Sequence, residues 1–162
     1  MFWKVWERYA DAGLLIIRLG FGFGFIYYHG WGKLMGGPER WAELGGAMRH
    51  LGIDFGHTFF GFMAAITETL MAFFFMLGFL FQPASILLAL TMAVAAVSSL
   101  AGGGNPSHAL KNVFLFVGLI FIGPGRYSLD AWFSRSSGNI KDEGYDLPES
   151  SDLSDYTPQR QA

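Results

Sequence analysis

A chain of 162 residues in which 52% are hydrophobic, 17% aromatic and only 15% charged cannot clothe a water-soluble domain of that size in polar surface. The composition, with 22 Gly and 17 Phe, suits helices that pack closely and face lipid, and no nucleic-acid partner is expected. The net charge of −2 is uneven along the chain, and with zero cysteines disulfides, thiolate-bound iron–sulfur clusters and CxxC redox chemistry are excluded.

Residues 1–11 read as an interfacial segment. Met1 to Arg8 is too polar for a signal peptide and no small-residue cleavage site follows, so the first helix is expected to stay in the mature protein. The first span covers 12–34, about 23 residues or roughly 34 Å at helical rise, enough for a hydrocarbon core of about 30 Å. Gly36-Gly37-Pro38 ends it. Between Pro38 and Asp54, Trp41, Leu44, Met48 and Leu51 recur at three- and four-residue spacing, which predicts a short interfacial helix. The second span is expected over 59–81, broken by Gln82-Pro83. The third covers 83–101 with Pro83 in its first turn, and the fourth 105–123 after an Asn105-Pro106 start. The fold class is therefore all-α: a polytopic membrane protein built as a four-helix bundle over 12–133.

Beyond Ser134 six acids stand against Arg135, Lys141 and Arg160. This stretch, 134–162, is expected to be a disordered acidic tail. Four spans put both termini on one side, and a slight Lys/Arg excess at the termini favours the cytoplasm.

Polar residues within the spans carry the chemistry, because hydrocarbon makes such groups costly unless partnered. Arg18, Gly22, Phe25, His29 and Lys33 share one stripe of the first helix at about 100° per residue. Glu68 shares a face with Gly61, Ala64, Ala65, Ala72 and Phe75, so it is expected to point inward. Thr91, Ala95 and Ser98 line the third helix, and His108, Asn112, Leu115 and Leu119 the fourth. By depth Glu68 falls between Arg18 and His29, which predicts an ion pair with the former or a hydrogen bond with the latter. Plainer readings stand beside this one: Arg18 snorkelling to the interface, His29 sitting in an aromatic belt with Tyr27, Tyr28 and Trp31, and Glu68 acting only as a structural pin.

Four histidines map toward one side of the membrane, but no HxxxH or HExxH spacing occurs, and no haem or metal site is expected. The Gly20-Phe-Gly22-Phe-Gly24 run lies inside an apolar helix, so helix packing is the expected use rather than a nucleotide loop.

Arg18-Leu-Gly, His29-Gly30 with Lys33, Glu68 in an apolar helix and Gly123-Pro124-Gly125-Arg126-Tyr127-Ser128-Leu129-Asp130 together resemble the DoxX family of small bacterial integral membrane proteins over about Ala12 to Trp132. The terminal signature, with Gly123, Pro124, Gly125, Arg126 and Asp130, is its most specific part. On physical grounds the glycines allow a sharp helix exit, and Asp130 is placed to pair with Arg126 one turn away. The resemblance implies four helices in the bacterial plasma membrane and an association with redox systems. Relatives are described as a subunit of a thiosulfate:quinone oxidoreductase and as a membrane partner of detoxifying redox enzymes.

Two functions follow as expectations. One is a small subunit of a redox assembly that holds a quinone, non-covalently, or another lipid-soluble molecule, with Arg18, Phe25, His29, Glu68 and Asn112 as ligand-binding candidates. The alternative is a non-catalytic assembly subunit whose polar core only fixes helix register. In neither is the chain a complete enzyme, and a protein partner is expected. A transporter is disfavoured because no internal repeat is visible.

Overall fold

The computed structural model describes residues 2–142, with side chains for 9–136. Among them there is no strand. Helix α1 (Phe2–Gly24) passes through a π-helical turn (Phe25–Gly30) into α2 (Trp31–Leu34), giving one continuous apolar rod over Tyr9–Leu34. Next come α3 (Gly37–Gly45) and a 3-10 turn (Gly46–Leu51). Helix α4 (His57–Ile66), a second π turn (Thr67–Met71) and α5 (Ala72–Leu77) form the second rod, and α6 (Phe81–Ala101) the third. These three rods are long and apolar enough to cross a membrane. Helix α7 (Ser107–Ile122) is apolar but, at 16 residues, about 24 Å long. Helix α8 (Leu129–Asp142) follows, and its residues from Phe133 onward form a second unit.

The rods meet through small residues and aromatic rings. A Cβ on Gly22 would lie 2.6 Å from Met76 Cβ, and one on Gly30 2.7 Å from the Glu68 carbonyl oxygen, so the first two rods approach backbone to backbone. The core is a chain of rings in which Phe116 stands edge-on to Phe25 and Phe75 at 5.2 and 5.3 Å, and Phe75 stacks on Phe81 at 5.1 Å. Leu88, Met92 and Leu119 fill around it. Outside, Phe23, Phe59, Leu100, Phe114 and Phe121 are exposed, as lipid-facing positions should be.

The α3 segment is clamped to α4 rather than lying apart. Gly61 abuts the Trp41 carbonyl and Gly45 the His57 carbonyl, with no room for a Cβ at either, while the Trp41 ring packs on Phe62 at 4.6 Å. Gly61→Val should therefore push α3 off the second rod and lower stability by about 1–3 kcal/mol, read as a reduced Tm in detergent. An unchanged Tm would mean that α3 contributes nothing to the fold.

The second rod stops earlier than the sequence suggests. Gln82-Pro83 does not break it: Gly78 at φ +65° ends α5, and Pro83 sits in the first turn of α6, where its missing N–H costs nothing. Leu80, at φ 46°, is the one non-glycine residue with positive φ among the described residues. It is held there by Asp130, whose two carboxylate oxygens accept the Leu80 and Phe81 N–H groups at 2.9 Å each. The helix that carries the expected 12–34 span begins earlier, at Phe2, with its apolar part over Tyr9–Leu34, and α8 reaches Asp142, past Ser134 where the acidic tail was expected to begin. The rest of that tail lies outside the described residues.

Candidate functional site

Glu68 is 2% exposed and bonds Lys33, Nζ to Oε2 at 2.5 Å. The inward orientation matches expectation; the partner does not. Neither Arg18 nor His29 reaches Glu68, for a reason rooted in helix geometry. Side chains tilt toward the N-terminus of their own helix, so in two antiparallel rods Arg18 and Glu68 lean apart while Lys33 and Glu68 lean together. Register adds to this, since Gly30 lies level with Glu68 and Thr69.

Both halves of the ion pair sit at or beside irregular turns. Glu68 lies in the π turn of the second rod, and the π turn of the first ends at Gly30, three residues before Lys33. Such turns widen a helix locally and recur at functional sites. Trp41 Nε1 donates to the Lys33 carbonyl at 2.9 Å, pinning the end of the first rod under α3.

The pair opens into a cavity of about 460 Å³ bounded by the α3 segment, the second rod and α6. Its walls are mainly apolar, with Leu44, Met48, Phe60, Met63, Leu90 and Val94, and its polar groups are Lys33, Glu68, Thr67, Thr91 and Ser98, with the exposed Arg40–Glu43 pair at the rim. Thr91 donates its hydroxyl to the Leu87 carbonyl, so toward the cavity it acts as an acceptor. Lys33 has three N–H bonds and uses one on Glu68, which leaves a cationic donor beside a carboxylate acceptor at the cavity wall. That combination can bind and polarise a carbonyl, or pass a proton to or from one.

The five expected ligand-binding residues do not converge on one pocket. Arg18, 1% exposed, donates to the carbonyls of Pro124 (2.5 Å), Tyr127 (3.0 Å) and Met76 (3.4 Å), and the Asp130 carboxylate is the anionic charge acting on it. It neither snorkels to the surface nor lines the cavity; it ties the Gly123–Asp130 turn to the first two rods. Around it Arg126 N–H donates to Asp11 at 2.8 Å and the Ser128 hydroxyl to the Gly125 carbonyl at 2.7 Å. Asp130 serves the α6 N-terminus through both carboxylate oxygens. Phe25, His29 and Asn112 line a separate groove between the first rod and α7.

Sequence reasoning left Lys33 out of the candidate set although it stood on the same stripe as Arg18 and His29. Thr67 and the α3 wall were missed because nothing in their spacing signals a fold-back onto the second rod.

The family model for DoxX matches residues 13–100, more than half of the chain, and so takes in Arg18, His29, Lys33 and Glu68. The chain belongs to the DoxX family. The DoxX match stops short of Asn112 and of the Gly123–Asp130 turn. No curated protein and no solved structure matched the chain.

Proposed function

We propose that this DoxX protein holds a quinone, or a closely similar lipid-soluble carbonyl compound, in the cavity beside Lys33 and Glu68, as the small membrane subunit of a redox assembly. The observation that carries this reading is an ion pair, its carboxylate buried and its ammonium partly so, bordering a mainly apolar space of about 460 Å³, within the range of small-molecule pockets. Lys33 would donate to a ring carbonyl, and Glu68 would take or return the proton that follows reduction. Electrons would come from a cofactor on a partner protein, because the described side chains include no thiol to carry them. The same reading puts the chain in the bacterial plasma membrane with both termini in the cytoplasm.

Purification in mild detergent, with lipids and proteins identified by mass spectrometry, tests the proposal. Quinone is expected near one per chain, along with a redox enzyme. Ala95→Phe, which fills the cavity away from the ion pair, should reduce bound quinone about tenfold, the equivalent of about 1.4 kcal/mol. A preparation with neither quinone nor redox enzyme would favour the non-catalytic assembly role.

A further inference from the structure

We propose that the groove between the first rod and α7 is a second ligand site, independent of the Lys33–Glu68 cavity, and that it takes a planar, uncharged, lipid-soluble ring bearing a hydroxyl or carbonyl, of the phenol or quinol class.

Gly20, Gly22 and Gly24 were expected to serve helix packing, and within the chain Gly22, on the face toward the second rod, does so. Gly22 meets Met76 and Ala72, but a Cβ on Gly20 or Gly24 would meet nothing within 4 Å. These two glycines, one helical turn apart, leave a strip of bare backbone at the floor of a groove of about 460 Å³. A flat ring can lie against such a strip at van der Waals distance.

Above the floor, polar groups stand without protein partners. His29 lies 5.2 Å from both Phe25 and His108, ring centre to ring centre, and its nitrogens have no hydrogen-bond partner among the described residues. Asn112 is 7% exposed and its carboxamide makes one contact, at 3.3 Å, to His108 Nδ1; the other amide atom has no partner among the described residues and borders the groove. Asn112 is buried as a residue, yet this atom is not sealed off, so a molecule lying in the groove can bond it. In a lipid-facing groove, water is a poor candidate and a membrane-soluble molecule a good one.

The lining selects the ligand's chemistry. No aspartate, glutamate, lysine or arginine borders the groove, so an ionic headgroup would be left unpaired. Neutral imidazole and carboxamide both donate and accept, which suits a hydroxyl or a carbonyl equally. The tilted Phe25 ring supplies an aromatic wall. The cavity beside Glu68 presents charge instead, so the two sites differ in kind.

Photolabelling of the full chain in lipid nanodiscs with an alkyl-chain azidophenol tests the assignment, the adducts being mapped by peptide mass spectrometry. Adducts are expected on the peptides holding Tyr28–His29 and His108–Asn112. Gly20→Leu, for which the backbone has space, and Asn112→Leu should each weaken labelling there about tenfold, the affinity equivalent of one lost buried hydrogen bond or a filled slot. Ala95→Phe in the other cavity should leave these adducts unchanged, which separates this site's failure from that of the quinone reading. His29→Phe, similar in size and apolar, serves if Asn112→Leu does not fold. Labelling indifferent to all the groove variants would overturn the proposal. So would an unlabelled wild-type chain whose dimer on native mass spectrometry becomes monomer with Gly20→Leu, since a second helix would then occupy the strip.

Discussion

Replacing Arg18 with leucine is expected to destabilise the protein by about 3 kcal/mol or more, the largest loss from any single side chain outside the ring core. The guanidinium is buried and serves three backbone carbonyls, those of Met76, Pro124 and Tyr127, which come from two separate parts of the chain. Leucine takes a charged donor from three partly buried carbonyls at once, at about 1–3 kcal/mol apiece before relaxation. Arg18→Lys should fall between, because one ammonium is a point donor and cannot span three carbonyls as a planar fork does. Thermal unfolding in detergent distinguishes the three proteins. A leucine variant within about 0.5 kcal/mol of the parent would show that the Gly123–Asp130 turn holds without it.

The second large effect concerns Lys33 and Glu68, and its asymmetry is the informative part. Lys33→Leu strands a carboxylate that is 2% exposed and should cost about 3 kcal/mol. Glu68→Leu should cost less, because the Lys33 side chain is 24% exposed and its long stem can carry the ammonium to the rim. Glu68→Gln should preserve the fold, keeping an acceptor for Lys33 while removing the proton-exchanging group. The double leucine variant should recover much of the loss, since replacing both partners removes the stranded charge. Equal costs for the two single variants, or strict additivity in the double, would contradict a buried, coupled pair.

Much of the architecture was legible in the residues because lipid leaves few alternatives. Runs of about 20 apolar residues bounded by Gly and Pro announce helices, and the small-residue face around Glu68 announced which way it points. Pro83 stands in the first turn of the third span as expected, but the second span ends upstream of Gln82, where Gly78 and the left-handed Leu80 turn the chain. Arg18 looked like a partner for Glu68 because composition does not reveal the register of the two rods: Gly30 lies level with Glu68, which puts Arg18 about 18 Å away along the axis, and the backward lean of both side chains widens that gap. The folding of α3 onto α4 depends on glycines at positions 45 and 61 meeting across a loop, a pairing that no local pattern encodes.

The π turns at Phe25–Gly30 and Thr67–Met71 carry a consequence for comparing this chain with its kin. A turn closed by an i to i+5 bond holds one residue more than its α-helical equivalent. Deleting a single residue within either turn would restore regular winding while leaving both flanking segments in place. Family members that differ in length by one should therefore align with their gaps inside these two windows. Where such a gap falls, the lysine–glutamate pair should be re-aimed or lost while the surrounding membrane scaffold stays the same.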